Sequence, residues 1–234
     1  LSPGYNGNSD YRMQLYYNRP VPTPAPTPAP TPAPTAAPTA APTAATTPSP
    51  LTCGDFTLTE MVNAWVAGDT TTYGDIATWD VSCVTDMSDI FNGASTFNGD
   101  LSAWDVSAVE DMLLMFSDAT AFNTDLSAWD TSSVTDMRNM FQSASAFAAD
   151  LGSWDVAAVT KMAFMFRWAT SFNSDISSWD VSAVTTMNLM FFEAAAFNRD
   201  LGWCAGATTT TDAFTGSLCE ATSCGVECQP STPP

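Results

Sequence analysis

Hydrophobic and polar positions repeat along the middle of this chain with a period of 25 residues. The segments FNGDLSAWDVSAVEDMLLMF and FNTDLSAWDTSSVTDMRNMF, for example, are alike at most positions. Three apolar columns show the register: Trp79, Trp104, Trp129, Trp154 and Trp179; Met87, Met112, Met137, Met162 and Met187; Phe91, Phe116, Phe141, Phe166 and Phe191. Because no insertion interrupts it over five units, the pattern is typical of a protein built from stacked repeats.

Two spacings alternate within each unit. Trp104 and Val106 are two residues apart, as on one face of a strand, whereas Met112, Met115 and Phe116 have the three-to-four-residue spacing of a short helix. A single unit cannot bury its apolar edge alone, but stacked units share a core. The sequence therefore predicts an α/β repeat solenoid, leucine-rich-repeat-like, with one short strand and one short helix in each turn of the solenoid.

The repeat also resembles a known family. LSAWDVSAV fits a leucine-rich pattern with Trp104 in the second apolar slot, and MFSDATAF is similar to the helical half of BspA-like leucine-rich repeats. The phrase W-D-V-S-x-V-T-D-M-x-x-M-F is close to the consensus of those surface proteins, across roughly Phe56 to Phe214. The resemblance implies a leucine-rich-repeat fold, a cell-surface location and a role in adhesion or interaction, with no catalytic residues to carry over.

The two ends of the repeat region differ from its middle. Residues 51–74 are predicted to contain a capping helix, because Leu58, Met61, Val62 and Trp65 have helical spacing. Residues 75–203 are predicted to form the five-turn solenoid, and residues 204–234 a Cys-rich cap and tail.

All six cysteines lie near these ends: Cys53, Cys83, Cys204, Cys219, Cys224 and Cys228. This distribution predicts disulfide-stapled caps and an extracellular location. A zinc site is the weaker reading, because CGVEC is one residue too long for a C-x-x-C pair and histidine is absent. The pairing of the last four cysteines stays open.

A different kind of segment precedes the repeats. Residues 20–50 contain twelve prolines among alanines and threonines, which favours a polyproline II spacer that reaches roughly 95 Å when extended. The composition resembles O-glycosylated stalks. The candidate glycosylation sites are Thr23, Thr27, Thr31, Thr35, Thr39 and Thr43. An ordinary disordered linker is the other interpretation.

The outermost residues, 1–19, include a tyrosine-rich stretch. Tyr11, Met13, Leu15 and Tyr17 alternate with polar residues in the manner of a strand, and Tyr16 adds another aromatic ring. So short a segment cannot fold alone. It could add to the sheet edge of another copy, and such a head-to-tail contact generates a homopolymer. Folding back on its own repeats and simple fraying are the other possibilities.

A row of aspartates follows the tryptophan column. If Trp104 and Val106 point inward, Asp105 points outward, and its row mates form an acidic strand face about 4.8 Å apart: Asp80, Asp105, Asp130, Asp155 and Asp180. Small neighbours keep this face flat, which suits a glycan, a polypeptide or hydrated calcium. The aspartates could equally bond only nearby hydroxyl and backbone groups.

Composition restricts the remaining function classes. With 25 acidic against 6 basic residues and a net charge of −19, nucleic acid and anionic membranes are unsuitable partners. No apolar run approaches the roughly 20 residues of a membrane span. Every acidic column repeats in register and histidine is absent, so we expect no enzyme and no cofactor, apart from a low expectation of calcium.

These features predict an extracellular structural and interaction protein. It would assemble into a surface fibril or matrix through its N-terminal segment, and its partners would be other copies and covalent glycans. The second hypothesis is a monomeric adhesion module that binds a glycan or protein on the acidic strand face.

Overall fold

A computed structural model describes residues 58–203 and 210–219. One α-helix, α1 (Leu58–Val66), precedes a single-turn 3-10 helix (Ile76–Thr78). The described part of the chain contains no β-strand, but it has four isolated parallel β-bridges, which link Asp86 to Asp111, Asp111 to Asp136, Asp136 to Lys161, and Lys161 to Thr186. Each bridge joins equivalent positions of two consecutive repeats, so these repeats lie side by side.

The predicted α/β repeat solenoid, with a strand and a helix in every unit, is therefore wrong. The spacing of Trp104 and Val106 comes from two tight turns, in which Trp104 N–H donates to Leu101 and Val109 N–H donates to Val106. The helical spacing also comes from turns. Met115 N–H donates to the Met112 carbonyl three residues back, at 3.2 Å, and the chain then changes direction instead of continuing as a helix.

Left-handed backbone at regular positions explains why no helix propagates. Two columns of each repeat have positive φ, with values of 55° to 64° at the first column and 56° to 76° at the second: Asp89, Leu114, Asn139, Phe164 and Leu189; Gly93, Asp118, Ser143, Trp168 and Glu193. A side chain in this region costs about 1 to 2 kcal/mol per residue. The cost is offset by hydrogen bonds that these residues make with the next repeat.

Those hydrogen bonds form a ladder with a direction. From the first repeat, Met87, Asp89, Phe91 and Gly93 N–H groups donate to carbonyls of the second repeat, at 2.9, 2.9, 3.0 and 2.8 Å. The acceptors are Asp111, Leu113, Met115 and Ser117. Later repeats use the same positions, as in Met137 N–H to Lys161 and Phe166 N–H to Met190. Each repeat thus satisfies part of its backbone within its own turns and the rest with its neighbour.

Aromatic side chains fill the interior in continuous stacks. Phe116 lies 5.5 Å from Phe141 in the next repeat and 4.0 Å from Phe122 in its own, measured between ring centroids. Trp129 stacks on Trp154 at 6.2 Å, and its indole N–H donates to the Leu101 carbonyl at 3.0 Å. All these rings are buried, so one core runs through every repeat.

The last repeat is shorter than the others. Trp203 stacks on Trp179 at 6.1 Å, and Phe214 stacks on Phe191 at 5.4 Å, although both Trp203 and Phe214 come earlier in the sequence than the repeat period places them. The rings keep their places while the connecting chain is shortened. Packing therefore sets the register at this end.

Several predicted segments lie outside the described residues: the tyrosine-rich segment, the proline spacer, the first seven residues of 51–74, and most of 204–234. The helix α1 lies within the segment predicted as a cap, where Trp65 meets Phe97 edge to face at 5.5 Å. Cys83 and Cys219 each take part in a disulfide bond. The other four cysteines are outside the described residues.

Truncating the central ring should be costly. We expect Phe141→Ala to lower the free energy of unfolding by about 3 to 5 kcal/mol, because it removes a buried ring that stacks on three other phenylalanine rings and leaves a cavity. Urea unfolding followed by tryptophan fluorescence measures this. The exposed Ala128→Ser serves as control and should change stability by less than about 0.5 kcal/mol. Equal effects of the two variants would contradict the stacked core.

Candidate functional site

The predicted acidic strand face is an exposed row that lies on turns instead of strands. Each of its aspartates accepts a hydrogen bond from the backbone N–H two residues later, at 3.0 to 3.1 Å: Asp80, Asp105, Asp130, Asp155 and Asp180. At Asp105 the Ser107 hydroxyl donates as well, at 2.6 Å. We call this set the outer acidic row.

Local hydrogen bonds stabilise the ionised form of three aspartates of this row, Asp105, Asp130 and Asp180. The Ser107 hydroxyl, followed by the Ser107 N–H, holds the pKa of Asp105 below its ordinary value, although the Asp130 and Asp80 carboxylates oppose this effect. Ser132 and Ser182 lower the pKa of Asp130 and Asp180 in the same way. Serine donors therefore relieve part of the repulsion along the row.

A second row of aspartates has the same local geometry. Its members accept from the N–H two residues on, at 2.9 to 3.3 Å: Asp75, Asp100, Asp125, Asp150, Asp175 and Asp200. The neighbouring asparagines connect repeats, since Asn98 accepts from Asn123 N–H and Asn123 accepts from Ala148 N–H, both at 2.8 Å. These side chains hold turns and their spacing.

A third polar column, at the β-bridges, was missed by the sequence analysis. It holds Asp86, Asp111, Asp136, Lys161 and Thr186. We call it the bridge column. Its charge changes from acidic to basic along the stack, and this departure from strict repetition is the signal that could have revealed it.

The centre of the bridge column contains an ion-pair cluster. Asp136 is buried, with Arg138 at 2.7 Å and Lys161 at 3.0 Å from its Oδ2 atom. Burial opposes its ionisation, but the hydrogen bonds from Arg138 and Lys161 outweigh burial and hold the Asp136 pKa below its ordinary value. Arg138 belongs to the same repeat as Asp136, whereas Lys161 links the third and fourth repeats.

The pKa of Asp111, one repeat earlier, is shifted in the opposite direction. Burial raises its pKa, and the Asp136 and Asp86 carboxylates raise it further, against the Leu113 N–H that donates to it at 2.8 Å. Within the described ranges, neither Asp86 nor Asp111 has an ion-pair partner. Negative charge is thus left uncompensated at the beginning of the stack.

An aromatic and cationic group occupies the left-handed turns of the fourth and fifth repeats. The Arg167 guanidinium lies 3.8 Å from the centroid of Trp168 and 5.5 Å from that of Phe192, and Phe164 is close by at 5.6 Å. Earlier repeats carry polar residues, glycine or leucine at these positions. The side chains pack on one another and are half-buried, which reduces the apolar surface they offer.

Neither a metal site nor a membrane span is found in the part of the chain described. Its acidic and cysteine side chains form no group of three or more suited to a metal ion. None of its helices has the length and apolar character needed to cross a bilayer.

These features define a repeat protein made of stacked, turn-rich units. The family model described as "Mycoplasma protein of unknown function, DUF285" matches residues 58–155 and 127–222. Because these matches together span more than half of the chain, the protein belongs to the DUF285 family. No curated protein and no solved structure matches the chain. The likeness to BspA-like repeats stays a prediction.

Two aspartates should respond to neutralisation with opposite signs. At pH 7 we expect Asp111→Asn to raise the free energy of unfolding, by less than about 1 kcal/mol, because burial and the neighbouring carboxylates disfavour the ionised form of Asp111. Asp105→Asn should lower it, because the ionised form is favoured there.

Urea titrations across pH check both signs. The Asp111→Asn gain should fade as pH falls from above the raised folded-state pKa to below the ordinary value of 3.8. The Asp105→Asn loss should fade as pH falls from 3.8 through the lowered folded-state pKa. Changes of the same sign at pH 7 would contradict this assignment.

Proposed function

We propose that this chain is an extracellular structural and interaction protein that assembles with copies of itself. In this proposal the repeats are the rigid body, residues 20–50 are an O-glycosylated spacer, and residues 1–19 dock on a neighbouring copy. The product is a surface fibril or matrix. No catalytic step is part of the proposal.

One observation carries it: in each polar row and in the tryptophan column, chemically capable side chains are held by structural partners. Asp105 is held by Ser107, Asp136 by Arg138 and Lys161, and the Trp129 indole by a backbone carbonyl. Catalysis needs a distinct set of groups that is not repeated along the body. Side chains used in this way support a mechanical role.

The same observation makes the outer acidic row a weaker candidate for adhesion. Its carboxylates accept hydrogen bonds from their own turns, at 2.6 Å from Ser107 and 2.7 Å from Ser82. These contacts account for the repeated aspartate without a ligand.

The N-terminal segment supplies the docking group in this proposal. In the proposal Tyr11, Met13, Leu15 and Tyr17 form one face of an extended segment, because they alternate with other residues, and the spacer would reach roughly 95 Å when extended. Docking on a different copy through unlike surfaces does not close on itself. Repetition of that contact gives a fibril, and glycans at Thr23, Thr27 and Thr31 would keep the spacer extended.

Removal of the segment tests this function. Deleting residues 1–19 should abolish association, measured by sedimentation velocity and by negative-stain electron microscopy of the glycosylated chain. Deleting only residues 1–8, which retains Tyr11 to Tyr17, is the matched control and should leave association intact. Particles of the first variant should remain monomeric at every concentration studied.

Filaments that persist without residues 1–19 would overturn the docking role. A full-length chain that stays monomeric, with intact mass showing the spacer glycans in place, would overturn self-assembly itself.

A further inference from the structure

The hydrogen-bond ladder has an open edge at its beginning. In every later repeat the carbonyls of this edge accept N–H groups from the preceding repeat, as Asp111, Leu113 and Met115 do. The equivalent groups of the first repeat are the carbonyls of Asp86, Ser88 and Ile90. Throughout the described ranges no donor reaches any of these three. We call them the carbonyl edge.

Two of the three residues of the carbonyl edge are accessible to solvent, beside a core that is already covered. The apolar side chains of the first repeat are already covered, since Met87 is 0% and Phe91 1% exposed. Helix α1 packs on this repeat through Trp65, which meets Phe97. Asp86 is exposed, Ser88 is half-buried and Ile90 is buried. The edge is therefore most accessible at Asp86 and Ser88.

The three carbonyls lie on alternate residues of a turn that contains the left-handed Asp89. In later repeats such carbonyls receive N–H groups from alternate residues, and an extended segment also presents its N–H groups toward one side at alternate residues. Adding a strand to such an edge is a common mode of peptide recognition, in which the main chain provides affinity. An occupant must therefore supply several consecutive residues that retain their N–H groups.

Charge restricts the occupant further. Asp86 lies at this edge and the half-buried Asp111 lies one repeat further on, both without ion-pair partners in the described structure, whereas Asp136 has two cations. Only six basic residues occur in the chain, and two of them, Arg12 and Arg19, lie in the N-terminal segment. That segment also has an unbroken run without proline from Gly4 to Arg19.

We propose that the carbonyl edge of one copy receives the Tyr11–Tyr17 segment of a second copy as an added strand, with Arg12 beside Asp86. This inference rests on the proposed self-assembly and identifies its acceptor. The added N–H groups complete the ladder, and the arginine supplies the cation that the first two repeats lack. The joint is directional, so each copy accepts one segment and donates one.

Cross-linking between labelled copies tests the acceptor directly. A photoreactive benzoyl-phenylalanine replaces Tyr16 in nitrogen-15-labelled chains, which are mixed with unlabelled chains and irradiated. Mass spectrometry should find heavy-to-light cross-links within residues 85–92. This experiment leaves the repeat body unaltered, so its folding is not in question.

A charge exchange tests the pairing. Arg12→Glu alone and Asp86→Lys alone should each weaken association at least about tenfold, and the two together should recover most of the loss. Asp155→Lys in the outer acidic row is the matched control and should leave association unchanged. Circular dichroism verifies that each variant is folded.

The possible outcomes separate the two proposals. Cross-links between copies that map to another surface, or a double variant no better than the single ones, would overturn the carbonyl edge as acceptor while leaving self-assembly in place. Cross-links found only within one copy would overturn both. Absence of association in the unmodified chain would overturn the proposed function.

Discussion

The backbone hydrogen bond between neighbouring repeats is the interaction on which this structure depends. Turns interrupted by left-handed residues satisfy only part of their N–H and carbonyl groups locally, whereas a helix would satisfy most of them. Met112, for example, donates to Asp136 in the next repeat at 3.0 Å. An isolated repeat would leave these groups to water and its rings exposed, so the repeats stabilise one another.

This dependence explains why side-chain chemistry is distributed as it is. Rings stack in the interior because equivalent positions come within 5.3 to 5.7 Å along the central phenylalanine column. Aspartates on the surface accept hydrogen bonds from donors of their own turns, as Asp105 does from Ser107. The bridge column is the exception, because it brings charged groups of successive repeats together and compensates them only from Asp136 onward.

The apolar columns could be predicted from sequence, and their burial follows from the regular period of the repeat. Trp104, Met112 and Phe116 are each 3% exposed or less. The strand and helix within each unit could not be predicted correctly. A two-residue or three-residue apolar spacing arises from tight turns as readily as from regular elements, and left-handed backbone at Leu114 or Phe164 has no sequence signal.

The sequence by itself determined the register, the composition of the core and the positions of the acidic rows, because these depend only on which residue types recur. Tertiary structure alone decided which carboxylates are compensated and where the ladder is left open. Asp111 and Asp136 occupy the same column with the same side chain. Their pKa values shift in opposite directions because burial and neighbouring carboxylates dominate at one, whereas cations from two repeats reach the other.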